Sequence, residues 1–246
     1  MDPLTVAAAS GLRSRMDALE LLANNLANSA TSGYKSDSEF YGLFTGLAQD
    51  MVGDGSSAVL PVIEHQWTDF SQGTLQPTGN PLDIALSGKG FLTVRSPSEV
   101  LYTRNGNLRI SSRGELVTSE GFQVRTIEGK SIQISSGKPI EISTDGTVRQ
   151  DGQTLGQLEV VEFKTTGSLR KLSGACFRNT DATRPPVAAT GVEIQQGKLE
   201  ASNVVVPEAA MRLVGMMRQF EMLQKAVSMG VDMNRRAIEE VAKVNG

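Results

Sequence analysis

One cysteine and one histidine in 246 residues close off several chemistries at once. Cys176 cannot build an internal disulfide framework, and Cys176 with His65 cannot supply the Cys/His cluster of a structural zinc, so no metal or other cofactor is expected. A basic excess is missing as well. The formal net charge is −3, which lacks the cationic footprint that phosphate-backbone binding needs and argues against nucleic acid as a partner. Ahead of Gly11 there is neither a basic n-region nor an apolar h-region, so a cleaved secretory signal is not expected. No apolar run approaches the roughly 18 residues that span a bilayer, so no membrane insertion is expected. What is abundant is glycine, at 25 residues, which predicts many tight turns.

The two ends of the chain share one physical character. Asp2 is a good N-cap and Pro3 suits the first helical position, so a helix can begin almost at once. Thr5, Ala9, Leu12, Met16, Leu19, Ala23 and Leu26 step by four and three residues, the seven-residue repeat of a coiled-coil seam. The helix should stop between Asn28 and Gly33, where turn formers cluster. Near the other end Pro207 can open a second helix, and Val206, Ala210, Leu213, Met217, Phe220, Val227, Val231, Ile238 and Val241 keep the same spacing. Gly215 and Gly230 each lower helix propensity by roughly 1 kcal/mol relative to Ala, so this helix depends on packing. Core-facing helices of an ordinary globular domain would show similar stripes. Two such helices at opposite ends of the chain can instead pair and still leave apolar side chains in want of a neighbour, which points toward a polymer. Leu12, Met16, Leu19, Leu26, Leu213, Met217, Phe220 and Val227 are the expected assembly interface.

Between the helices the pattern changes. From Ser36 to about Pro81 no helical or alternating period is sustained, so the stretch reads as an extended arm, with Val59–Ile63 a possible short edge strand because Pro61 bars a central one. Beyond Pro81 strand signals are dense: Leu82–Leu86, Phe91–Val94, Leu101–Arg104, Asn107–Ile110, Glu115–Thr118, Phe122–Arg125 and a longer alternating run, Leu155–Phe163. Asn105-Gly106, Asp145-Gly146 and Asp151-Gly152 carry hairpin-turn chemistry. An antiparallel β domain follows.

Catalytic patterns were weighed against plainer roles. Gly88-Lys89-Gly90 begins like a phosphate loop, but the strand-like Phe91–Val94 follows it and no helix N-terminus is offered to an anion, so it reads as a turn. Asp145, Asp151 and Glu159 could in principle pair as glycosidase carboxylates, yet two of them sit in Asp-Gly turns that use Asp for its backbone hydrogen bonds. His65 has no Gly-x-Ser-x-Gly elbow or Cys-His relay to serve. The methionines at 211, 216, 217, 222, 229 and 233 suit helix packing with several neighbours. The expectation is therefore a chain without catalytic residues.

Asn24-Asn25-Leu26-Ala27-Asn28-Ser-Ala-Thr-Ser-Gly33-Tyr34-Lys35 resembles the N-terminal signature of flagellar rod, hook and hook-associated axial proteins, with Asn24, Asn25, Leu26, Asn28, Gly33 and Tyr34 as its motif residues. Gln72-Gly-Thr-Leu-Gln-Pro-Thr-Gly-Asn-Pro-Leu-Asp-Ile-Ala-Leu, Gly90-Phe-Leu-Thr-Val, Tyr102-Thr-Arg-Asn-Gly-Asn and Leu199-Glu-Ala-Ser-Asn-Val resemble the same family, so the likeness covers essentially the whole chain. Chain length and Arg218-Gln-Phe-Glu-Met are more similar to proximal than to distal rod members. The resemblance implies a structural rod subunit of the basal body that crosses the periplasm, stacks with copies of itself and with other rod proteins, transmits torque from motor to hook, and leaves the cell through the flagellar type III export apparatus. It implies an α+β fold: N- and C-terminal helices in a coiled-coil-like layer, with a central antiparallel β-rich domain facing outward. The corresponding division is 1–35 (N-terminal helix), 36–80 (arm or loop), 81–198 (β-rich domain) and 199–246 (C-terminal helix). The terminal segments are expected to order fully against neighbours. A distal rod or other axial protein, a wall-acting enzyme that opens peptidoglycan for the rod, and a soluble β-type binding module are the competing expectations.

Overall fold

The computed structural model describes residues 3–44, 60–135 and 137–244. The fold is α+β, with a helix at each end and antiparallel β structure between them. The chain divides into two compact units: Met1–Ala27, Asp37–Thr68 and Val205–Gly246 form one, Asn28–Ser36 and Asp69–Val204 the other.

In the first unit, α1 (Pro3–Ala27) and α2 (Val206–Val244) pack on one another. Pro207 stands in the first turn of α2, where its missing N–H costs nothing, while Asp2 lies outside the described residues. At 1.5 Å per residue the 25-residue α1 spans about 38 Å and the 39-residue α2 about 58 Å, so α2 has more length than α1 can cover. Met222, Met229, Val231 and Met233 on α2 are correspondingly exposed. The stretch read as an extended arm with an edge strand near Val59–Ile63 contains a two-stranded antiparallel ladder, Asp37–Phe44 against Leu60–Thr68. With only two strands each is an edge, which is why Pro61 is tolerated opposite Leu43. His65 pairs in register with Phe40 in this ladder, and Trp67 with Ser38.

The β-rich unit is built on one large antiparallel sheet, in which Phe91–Arg95 lies between Val100–Thr103 on one side and Val160–Glu162 and Gln123–Val124 on the other. Leu169–Ser173 and Cys176–Asn179 extend it beyond Val100–Thr103, and Leu116–Thr118 and Leu108–Ile110 beyond Gln123–Val124. Ile140–Ile142, Thr147–Gln150 and Gln153–Gln157 form a smaller sheet. Leu86, Leu92, Val94, Leu101, Leu116 and Val124 centre the main core, and Phe91, Tyr102, Phe163 and Phe177 with Phe70 make an aromatic second one.

Two of the three turn expectations hold. Asp145-Gly146 lies between paired strands, and Asp151 (φ 51°) with Gly152 (φ 77°) makes the two-residue turn that brings Gln150 opposite Gln153. Asn105-Gly106 fails as a hairpin. Its flanking strands pair elsewhere, and both residues are buried in a crossing where a Cβ on Gly106 would stand 1.8 Å from the Ile84 carbonyl oxygen. Glycine serves close approach there, not a turn. The single strand expected over Leu155–Phe163 is two, Gln153–Gln157 and Val160–Glu162, because the chain changes partners at Leu158, whose N–H reaches the Gly146 carbonyl.

Cys176 is buried opposite Thr103, and desolvation pushes its thiol from 9.0 up to about 11. Above pH 9 the unfolded thiol releases a proton that the folded one keeps. The thiol's contribution is thus complete below pH 9 and lost as the pH climbs to about 11, on the order of 2 kcal/mol. Cys176→Ala should therefore flatten the alkaline fall of urea stability between these limits, leaving the part due to Tyr102, whose phenol burial also raises.

Candidate functional site

The expected interface residues lie on the two packed helices. Leu12, Leu19 and Leu26 on α1 and Leu213, Phe220 and Val227 on α2 are half-buried, while Met16 and Met217 are half exposed. Among the described residues of α1 the buried ones are Ser14, Ala18 and Asn25, rotated from the Leu stripe. From α1 the Arg15 guanidinium donates to the Met216 sulfur of α2 at 3.4 Å, a polarisable contact between the two packed helices.

Of the motif residues, Asn24 is exposed, Leu26 half-buried, and Asn25 buried. The Asn25 side chain forms a matched pair with one residue's backbone: Nδ2 donates to the Asp37 carbonyl at 2.7 Å and Oδ1 accepts the Asp37 N–H at 3.0 Å. A carboxamide offers donor and acceptor side by side, which neither Asp nor Leu can. It ties the last turn of α1 to the start of the hairpin. Asn28 closes the turn after the helix, its carbonyl accepting the Thr31 N–H and its Oδ1 the Thr31 hydroxyl.

The remaining motif stretches, far apart in sequence, converge inside the β-rich unit. Lys35 and Glu200, 165 positions apart and both fully buried, form an ion pair at 2.5 Å. The other Glu200 oxygen stands 3.5 Å from the Arg104 guanidinium. Glu200 also accepts the Gly73 N–H at 2.9 Å, and Lys35 gives a further hydrogen bond to the Ser71 carbonyl at 2.6 Å. Arg104 donates to the carbonyls of Leu86 (3.2 Å) and Gly88 (2.6 Å), and Gln72 bonds the same two residues, through the Leu86 carbonyl and the Gly88 N–H. Asn203 accepts the Ser36 N–H at 2.7 Å and donates to the Asp69 carbonyl at 2.8 Å. One carboxylate therefore serves two buried cations. Desolvation lowers the pKa of both Lys35 and Arg104, and Glu200 pulls each back up.

Glycines make room for this network. At Gly33, φ is +69° and a Cβ would lie 2.3 Å from the Asn105 nitrogen, while at Gly73 it would lie 2.0 Å from the Ala201 oxygen. Tyr34 is buried beneath Lys171, whose ammonium stands 4.0 Å from the ring centroid and donates to the Lys35 carbonyl. Gly33→Ala should cost at least about 2 kcal/mol, since left-handed strain and a backbone clash add. Gly79→Ala shares the positive φ but meets nothing within 4 Å, so urea titration of the two variants side by side isolates the clash.

Sequence reasoning grouped Leu26, Asn25 and Gly33 but missed Glu200 as the partner of Lys35 and Gln72, Arg104 and Asn203 as members of the surrounding network. The available signal was that several of the family-like stretches set a long or amide polar residue, Gln72, Arg104, Glu200 or Asn203, beside small ones. The carboxylates weighed for catalysis are occupied. Asp145 accepts the Thr147 N–H (3.0 Å) and hydroxyl (2.8 Å), which hold its carboxyl below the usual range. Asp151 pairs with Lys138, and Glu159 with Arg125 at 3.1 Å.

A buried network of this kind, joining both ends of a β unit next to the chain's passage into terminal helices, defines a structural site. Residues 85–150 match the D1 domain of the flagellar hook protein FlgE/F/G family, and residues 195–240 the C-terminal domain of flagellar basal body rod FlgEFG proteins. The chain is 32% identical to the flagellar basal-body rod protein FlgF of Caulobacter vibrioides, over 92% of this chain and 93% of that one. It is 30% identical to the FlgG rod proteins of Buchnera aphidicola (89% and 92% covered) and of Caulobacter vibrioides (90% and 92%). The chain belongs to the flagellar basal-body rod protein family.

Proposed function

We propose that this chain is a structural subunit of the proximal rod, which adds to the growing axis through α1 and α2 and carries torque from motor to hook through its tied β-rich unit. The observation that carries the assembly role is the excess length of α2, whose Met222, Met229, Val231 and Met233 are exposed in the single chain and suit burial against neighbouring subunits. Leu12, Met16, Leu19, Leu26, Leu213, Met217, Phe220 and Val227 form the coiled-coil-like seam of that layer, and the division of the chain into helical ends, arm and β-rich domain serves it. A screw-related, non-closing contact between such faces gives a tube. Its partners are copies of itself, other rod proteins and the flagellar export apparatus. Among the described residues no helix is long and apolar enough to cross a membrane.

The proximal reading is supported by the FlgF relative and by Arg218–Met222 in α2, and the FlgG relatives at 30% support a distal reading. An epitope-tagged chain should remain in basal bodies isolated from cells that lack the distal rod protein. Its loss from those particles would move it to the distal rod. We read the chain as non-catalytic because its candidate carboxylates are engaged in turns and ion pairs. Incubation of purified protein with peptidoglycan should release no soluble fragments, and release abolished by Glu159→Gln would reverse this.

A further inference from the structure

On one face of the large sheet, Arg95 stands opposite Gln123, Gln123 opposite Val117 and Val117 opposite Arg109, so the four side chains share that face. A groove of about 420 Å³ opens there, floored by the buried Val117 and walled by turns at Ser96 and Ser111. Both walls are built. Ser96 Oγ accepts the N–H groups of Ser98 and Glu99, and Ser111 Oγ those of Arg113 and Glu115. Arg95 and Arg113 line the groove, and Arg109 reaches its rim at Gly121, where a Cβ would be 3.6 Å from the guanidinium. The one carboxylate in the lining, Glu115, is occupied by the Gln123 amide (3.0 Å to each oxygen) and the Ser131 hydroxyl (3.2 Å).

Several other arginines of the unit end on acids, Arg104 on Glu200, Arg125 on Glu159, Arg178 on Glu99 and Arg184 on Asp181, while Arg149 and Arg170, which do not, lie outside the groove. Among the described residues Arg95, Arg109 and Arg113 have no acidic partner, and Arg95 makes only a 3.4 Å contact to the Gly129 carbonyl. Three guanidinium forks thus surround one engaged carboxylate, which is the arrangement that receives carboxylates bidentately.

We propose that this groove docks an acidic peptide segment of a neighbouring protein subunit, with Arg95 and Arg113 holding its carboxylates and the serine-rimmed turns its backbone. A peptide fits better than a glycan, since no aromatic ring lines the groove to offer a sugar a flat apolar partner. The site lies on the β-rich unit and stands whether the chain is of proximal or distal type.

The test uses the full chain and a fluorescent hexapeptide of alternating Asp and Glu, with an Asn/Gln peptide as control, followed by anisotropy. The acidic peptide should bind, weaken between 20 and 300 mM salt, and lose at least tenfold in affinity in Arg95→Gln/Arg113→Gln. Arg149→Gln/Arg170→Gln removes the same charge outside the groove and should leave binding within twofold. Equal losses in both double variants, or no binding at millimolar peptide, would overturn the proposal. So would Arg95- and Arg113-dependent binding of polygalacturonate without binding of the peptide. Should the first double variant melt early by circular dichroism, Arg113→Gln alone carries the test, because among the described residues the exposed Arg113 side chain makes no hydrogen bond or ion pair.

Discussion

Glu200→Leu should destabilise the β-rich unit by about 3–5 kcal/mol, and by more than Lys35→Met does. The difference follows from the count of charges around one buried carboxylate. Without Lys35, Glu200 keeps the Arg104 guanidinium at 3.5 Å and the Gly73 N–H at 2.9 Å. Without Glu200, two buried cations lose their counter-charge together. Adding Lys35→Met to Glu200→Leu should therefore restore part of the loss, and a double-mutant cycle should give a non-zero coupling. The single tryptophan, Trp67, belongs to the helix-and-hairpin unit and does not report on this one. Hydrogen exchange at core amides such as Val94 and Val124 is the suitable readout.

The pH dependence has a definite sign. The Lys35 ammonium has a lowered pKa, so between that value and 10.5 this group binds more protons in the unfolded chain than in the folded one. Its own contribution to stability rises with pH across that interval, against the opposite trend of Cys176 and Tyr102. Glu200 opposes the lowering. In Glu200→Leu the interval should extend further down and the variant should gain more on alkalinisation than the parent. Equal sensitivity of Lys35→Met and Glu200→Leu, with no pH difference, would mean that the pair is incidental to the fold.

What the sequence made legible is local. The helices follow from a seven-residue spacing that one element carries by itself, and the Asp145-Gly146 and Asp151-Gly152 hairpins from turn chemistry spread over two residues. Asn105-Gly106 has the same composition, yet its glycine answers to the Ile84 carbonyl, a contact made by a distant segment. The Lys35–Glu200 pair is of the same kind, with its partners 165 positions apart and nothing local to mark either as buried. Burial inside the single chain was likewise not legible on α1. An apolar stripe counts hydrophobic type, whereas the buried Ser14, Ala18 and Asn25 are small or polar and carry no such signal. The resemblance gathered the residues of the site without revealing that they touch.

Leu19→Asp or Phe220→Asp should abolish rod completion and reduce swarming to that of cells lacking the chain. Either places a carboxylate on a half-buried helix face, where its desolvation is unfavourable in the lone chain and more so once neighbours cover it. Core amides of the β-rich unit should keep their protection, since both substitutions lie in the other unit. Lost motility alone would not separate misfolding from failed assembly, so Met229→Asp and Met233→Asp make the sharper experiment. These side chains are 64% and 69% exposed, and a charge there should leave helicity and thermal melting of the single chain nearly unchanged. If α2 is buried between subunits, the same charge is taken out of water in the rod, and completion should fail although the monomer is sound. Normal rods from both methionine variants would remove the far half of α2 from the interface. Normal rods from Leu19→Asp and Phe220→Asp as well would remove the helical seam altogether.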